Sequence, residues 1–198
     1  DAGIAGGRVH CPALAARAGG ADDRVRRTSA PRYLDRRHWT GGIAQALRLA
    51  EDFSEGGRIV VILGDNILEA DIRPFVARYR KQKAGARLLL KKVEDPERFG
   101  VAEFRGKKVV CIVEKPKRPK SSYAVTGIYM FDRQVFDIIR TLKPSGRGEL
   151  EITDVNNRYL EKGQLEYDIL EGYWTDAGTF DSLLRANLLV SERSKREA

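Results

Sequence analysis

No window of the 198-residue chain approaches the roughly 18 to 20 continuous apolar residues that a helical membrane span needs. The start is rich in Gly and Ala but has no apolar core segment, so no secretory signal is expected. Cysteine is scarce. Cys11 and Cys111 form no metal-ligand spacing, and without secretory context they read as free thiols of a reducing, cytoplasmic compartment. No internal repeat is present, which excludes a solenoid or propeller. The first forty residues contain no lysine and no glutamate, and the first lysine is Lys81.

Those first forty residues hold eight Arg and four Asp, which supply half of the net charge of +8. Their apolar residues are mostly Ala, and no helical or strand period persists. Residues 1–40 are therefore read as an aberrant, disordered segment, with little to bury. From about Gly41 ordinary globular sequence begins, and 41–198 is read as one domain, long enough for a full core. The positive charge suits nucleic acid or anionic small substrates. No nucleic-acid-binding motif accompanies it, so nucleic acid is not the favoured partner.

After residue 41, helical and strand patterns alternate. Ile43, Ala46, Leu47 and Ala50 share one face of a helix over 43–53. A strand is expected at 58–63, a helix at 72–83 and a strand at 86–93. Two short strands, 101–104 and 109–113, flank Arg105-Gly106-Lys107, a hairpin signal. A strand at 123–131, helices at 133–142 and 151–162, a strand at 165–170 and a helix at 179–192 complete the pattern. Gly163 is the expected C-cap of the 151–162 helix. This is an α/β sheet with an antiparallel insertion.

The run Ile59-Val-Val-Ile-Leu63 ends in Gly64-Asp65-Asn66, placing Asp65 at the carboxyl end of a strand expected to be parallel. Open α/β sheets bind ligands at that edge, and a carboxylate there can hold Mg²⁺ against phosphates. The competing reading is an Asp that caps the next helix. A second candidate carboxylate, Asp176, lies in Trp174-Thr-Asp-Ala-Gly178. Lys115 and Glu114 follow a strand directly; they suit a phosphate and sugar hydroxyls, or an exposed turn. Gly100 brings backbone close to a ligand or opens a hairpin, and Gly127 marks a bulge or a ligand approach. Arg147 clamps a diphosphate or belongs to a flexible loop.

Taken in order, Gly41-Gly-Ile-Ala-Gln-Ala46, Val60-Val-Ile-Leu-Gly-Asp-Asn66, Glu94-Asp-Pro-Glu-Arg-Phe-Gly-Val-Ala-Glu-Phe104, Val113-Glu-Lys-Pro116, Val125-Thr-Gly-Ile-Tyr129, Arg147-Gly-Glu-Leu-Glu-Ile-Thr-Asp-Val-Asn156 and Trp174-Thr-Asp-Ala-Gly178 resemble the sugar-1-phosphate nucleotidyltransferases. Within them they are most similar to the branch that acts on glucose 1-phosphate and dTTP. The resemblance covers roughly residues 41–190. It implies a Rossmann-like nucleotidyltransferase sheet with an antiparallel sugar-side insertion. It also implies nucleotidyl transfer from dTTP to glucose 1-phosphate, giving dTDP-glucose and pyrophosphate in a homo-oligomer. By the same resemblance Asp65 and Asp176 hold Mg²⁺, Lys115 binds the sugar phosphate and Arg147 helps hold it. Gly100, Glu114 and Tyr129 line the sugar pocket, Val125 offers main-chain contacts and Gly42 lies under the nucleobase.

One family feature has no counterpart. The family's Gly-rich triphosphate loop, ending Gly-Thr-Arg, is represented at most by Ala5-Gly6-Gly7, which Arg8-Val-His-Cys11 follows. The chain from Gly7 to Asp65 is also too short for the opening βαβ units. The first strands of the sheet are therefore expected to be missing or aberrant. The alternative function is an inactive fragment that binds sugar phosphate or only assembles with partners.

Overall fold

The computed structural model describes the backbone of residues 13–17 and residues 41–197. Apolar runs of β-branched and Leu residues form the central strands: β2 (Ile59–Leu63), β4 (Ala86–Lys92) and β7 (Tyr123–Phe131). Among the described residues, the main sheet runs β1-β2-β7-β4-β8, where β1 is Ala13–Arg17 and β8 is Leu165–Ile169. The hairpin of β5 (Gly100–Arg105) and β6 (Lys108–Glu114) joins along β7. Its turn is Gly106-Lys107, with Gly106 at φ +61°.

The expectation that Asp65 ends a parallel strand needs correction. Both neighbours of β2 are antiparallel to it: β1, and β7, whose Phe131 lies opposite Ile59. β7 is also antiparallel to β4, so β2 and β4 run the same way with one reversed strand between them. β4 and β8 pair in parallel. Inside the segment read as disordered, β1 pairs Ala13 with Leu63 and Arg17 with Ile59. Five residues suffice to satisfy the open hydrogen-bonding edge of β2. The remaining residues before Gly41, including Ala5-Gly6-Gly7, His10 and His38, lie outside the described residues.

The side chains alternate across the sheet with period two. Ile59, Val61, Leu88, Leu90, Tyr129 and Phe131 face one core, with α1 (Gly42–Arg48), α4 (Gln134–Thr141) and α5 (Ile152–Glu161) packed over them. Val60, Leu89, Ile128 and Met130 face the other, covered by Tyr79 of α3 (Arg73–Lys81) and by Trp174. The helix expected over 43–53 is broken at Leu49-Ala50, and a short α2 (Glu51–Ser54) follows. α5 ends as the sequence suggests. The Gly163 N–H donates to the Leu160 carbonyl and the Gln164 N–H to that of Tyr159, each at 2.9 Å, with Gly163 at φ +64°. Arg58, just before β2, donates to the carbonyls of Tyr79, Arg80, Gln82 and Lys83, closing the end of α3. Two short strands not read from the sequence, β3 (Asn66–Leu68) and β9 (Trp174–Asp176), form a separate antiparallel pair beyond β2. α6 (Phe180–Glu197) follows β9. No described helix is long and apolar enough to cross a membrane.

Candidate active site

The β3–β9 pair brings the two candidate carboxylates together. Asn66 lies opposite Asp176, and the Ala177 N–H donates to the Asp65 carbonyl at 2.7 Å. Oδ2 of Asp176 and Oδ2 of Asp65 lie 3.5 and 3.6 Å from the point that a Cβ on Gly178 would occupy. The glycine places no side chain beside these two oxygens. A hard divalent cation held by two carboxylates and completed by phosphate oxygens and water suits this donor set, so the residues fit Mg²⁺.

The surroundings fix both carboxylates. The Asn66 carboxamide donates to Asp65 Oδ1 (2.8 Å), and its oxygen accepts from Gly127 N–H (2.9 Å) and Trp174 Nε1–H (2.7 Å). Gly127 lies in a bulge of β7: Leu88 pairs with Tyr129, but the next pair is Leu90 with Val125. Of the two readings of Gly127, the structure shows the bulge. A Cβ there would lie 2.3 Å from Asn66 Nδ2, so any other residue would push the Asn66 side chain out of its place. Val125 therefore lies at the foot of the bulge, and Thr126 Oγ1 donates to the Leu89 carbonyl at 2.9 Å. Arg98 Nη2 donates to both oxygens of Asp176, at 2.9 and 3.1 Å.

A second cluster gathers the sugar-side candidates. Glu114, at the end of β6, accepts from Thr153 Oγ1 (2.6 Å) and from Arg147 (3.3 Å). Gly100 faces both: its Cβ position is 3.2 Å from Thr153 Oγ1 and 3.4 Å from Glu114 Oε2. Arg147 is no free loop residue. It is bound to Glu151 (2.7 Å) and lies 3.7 Å from Glu149. The Glu151 hydrogen bond, with the charges of Glu151, Glu114 and Glu149, outweighs burial and raises its affinity for the proton. Burial pushes the Glu151 carboxyl up, but hydrogen bonds from Arg147 and Ser145 prevail and hold it below the usual glutamate range. Lys115 is exposed and stands at φ +44° just before Pro116, a strained backbone that its N–H bond to the Phe99 carbonyl (2.9 Å) helps to hold. Tyr129 lies between the two clusters. Burial, then the charges of Glu114 and Asp65, push its phenol well above the ordinary value.

Gly42 begins α1 at φ +79°, where its Cβ position lies 2.8 Å from the Leu150 carbonyl. It packs against the segment that carries Arg147, rather than beside the carboxylate pair. The sequence did not single out Asn66, Arg98, Glu151 or Thr153 individually. Each stands inside a quoted motif, and that was the only signal for them.

A carboxylate pair at the rim of an α/β sheet, beside a cluster of basic and acidic side chains, is chemically suited to a divalent cation and phosphate groups. A family model described as nucleotidyl transferase matches residues 23–193, and the chain belongs to that family. The match begins within the first forty residues, so the likeness reaches further toward the N-terminus than the motifs from Gly41 onward indicate. The chain is 45% identical over 150 residues, 74% of its length, to a glucose-1-phosphate thymidylyltransferase of Actinoplanes sp.. It is 46% identical over 160 residues, 79% of its length, to one of Xanthomonas campestris pv. campestris. It spans about half the length of these relatives, 49% and 54%. Among solved structures, a candidate glucose-1-phosphate thymidylyltransferase from Bacillus anthracis, in complex with sucrose, superposes with a TM-score of 0.74 at 60% identity, over 80% of this chain and 63% of that one. A UDP-glucose pyrophosphorylase shares the fold, with a TM-score of 0.70 at 21% identity, over 78% of this chain and 63% of that one.

Proposed function

We propose that the protein transfers a thymidylyl group from dTTP to glucose 1-phosphate, giving dTDP-glucose and pyrophosphate with Mg²⁺ as cofactor. An oxygen of the sugar phosphate attacks the α-phosphorus, the bond from that phosphorus to the bridging oxygen breaks, and pyrophosphate leaves. A phosphate monoester is already a good nucleophile, so no strong general base is needed. In-line positioning and charge neutralisation carry the rate. Asp65 and Asp176 hold Mg²⁺, which when bound offsets the negative charge of the reacting phosphates. Asn66 keeps the Asp65 carboxylate turned toward its partner. Glu114, held by Thr153 and Arg147, is a fixed acceptor for sugar hydroxyls. Lys115 supplies a compact charge to the sugar phosphate.

The observation that carries this reading is the convergence of Asp65 and Asp176 on the open space at Gly178. The names of the relatives support the choice of nucleotide and sugar. The test is pyrophosphate release from purified protein given dTTP, glucose 1-phosphate and Mg²⁺. Asp65→Asn is expected to lower turnover roughly 10²- to 10³-fold, the cost of losing one preorganised charge at such a site. Equal release by the variant overturns the assignment.

A further inference from the structure

Arg98 is delivered to the carboxylate pair by a single 3₁₀ turn, Pro96–Arg98, between β4 and β5. Nη1 binds Asp95 (2.8 Å), while Nη2 takes both oxygens of Asp176 (2.9 and 3.1 Å). The guanidinium stacks over Phe99 at 5.0 Å, and Phe99 meets the edge of Trp174 at 5.2 Å. Trp174 donates to Asn66, which donates to Asp65. A fixed positive charge is thus built against one of two convergent carboxylates, and tied by packing to the other.

We propose that Arg98 is a resident counter-cation that competes with a divalent cation for Asp176. The inference rests on the reading of Asp65 and Asp176 as the metal-holding pair. Two like charges converging on one space repel each other, and a guanidinium bound to one of them relieves that repulsion. The same guanidinium opposes a second cation, through like-charge repulsion and through the hydrogen bonds that Asp176 must give up. The carboxylate pair alone then holds a divalent cation weakly. Firm binding requires the further oxygens of a nucleoside triphosphate, so the cation arrives with the nucleotide instead of residing in the protein. Arg98 is in this sense a positioning and charge-setting residue.

The experiment is direct Mn²⁺ binding to the full chain in the absence of nucleotide, followed by titration calorimetry or Mn²⁺ spin resonance. Arg98→Gln and Arg98→Met, the latter retaining the aliphatic stem over Phe99, are expected to bind Mn²⁺ about tenfold more tightly than the unaltered chain, the order expected on removing one nearby like charge. Arg98→Lys retains the charge and is expected to bind as the unaltered chain does. A merely structural arginine would give the opposite sign, because loosening Asp176 weakens binding. Unchanged or weaker Mn²⁺ affinity in both neutral variants overturns the proposal, as does an Arg98→Lys variant that tightens as much as they do. Asp176→Asn separates the two levels of inference. If it abolishes Mn²⁺ binding while the Arg98 variants show no gain, only the role of Arg98 fails. If it binds Mn²⁺ as well as the unaltered chain, the metal-holding pair itself fails, and the proposal with it.

Discussion

The carboxamide of Asn66 donates to Asp65 and accepts from both Gly127 and Trp174, so one short side chain joins the carboxylate, the bulge of β7 and β9. Asn66→Ala leaves two donors without their acceptor and is expected to cost about 2–4 kcal/mol, measured by urea denaturation. Asn66→Asp retains an acceptor for those donors but sets a like charge beside Asp65. It is expected to keep more stability than the alanine variant while losing more turnover. If the two variants lose stability and turnover in the same proportion, Asn66 has no separate effect on Asp65. Gly178 gives a cleaner separation. A methyl group there meets Asp176 and Asp65 oxygens at 3.5 and 3.6 Å, ordinary contact distances, so the fold tolerates it. It nevertheless fills the space on which the carboxylates converge. Gly178→Ala is expected to unfold within about 0.5 kcal/mol of the unaltered chain, as a well-tolerated substitution does, yet to lose most of its metal-dependent turnover. Full turnover would show that the cation does not use that space.

At the scale of elements, α4 and α5 are joined through Asp132. Its carboxylate accepts from the N–H of Gly85 (2.6 Å) and of Gln134 (3.1 Å), and from the Tyr159 hydroxyl (2.8 Å). Asp132→Ala strands donors in a buried place and is expected to cost about 3 kcal/mol in urea denaturation. The entry to α5 has a pH dependence of its own. Glu151 is held below the usual carboxyl range, so its stabilising contribution is complete above the ordinary glutamate value and is lost as pH falls through the lower folded value. Glu151→Gln is therefore expected to be less stable near neutral pH and to lose less stability on acidification, read from denaturation series between pH 6 and pH 3. Parallel curves for the two proteins would rule this out. The longer elements were legible because their signals are local: the apolar runs of β2, β4 and β7, and Gly163 after α5. The break at Leu49-Ala50 was not, since the apolar face continues through it. β3 and β9 were invisible for a different reason. Each is three residues long, and what makes them strands is their mutual pairing. The contacts of the site share that property. Thr153 meets Glu114 across 39 residues and Arg98 meets Asp176 across 78, and no local period reports such meetings. The motif order indicated which segments carry the candidate residues, whereas the partners of each side chain came only from the topology.

At the scale of the whole molecule, β7 is the strand that the two clusters share. It pairs with β2, which leads to Asp65, its bulge receives Asn66, and its Tyr129 senses the charges of both Asp65 and Glu114. Both cores also meet on it, Tyr129 and Phe131 on one face and Ile128 and Met130 on the other. A ligand that engages the proposed metal end and the proposed sugar end together should therefore stabilise the sheet as a unit. One that engages a single end should stabilise it less. A ligand bound only by the folded state at a hundred times its dissociation constant adds about 2.7 kcal/mol. In a domain of this size that corresponds to a melting shift of roughly 5–10 °C. The full shift is expected with dTDP-glucose and Mg²⁺ together. The two arms can then be separated by substitution. Asp176→Asn is expected to lose the Mg²⁺-dependent part of the shift and to keep a smaller one with glucose 1-phosphate alone. Glu114→Gln is expected to lose the glucose 1-phosphate shift and to keep a response to Mg²⁺ with dTTP. Thermal melts of the two variants in each ligand condition decide the matter. Equal loss in every condition would mean that the clusters are not separate binding arms. A crossed pattern would mean that the reversed strand between β2 and β4 joins two distinct half-sites.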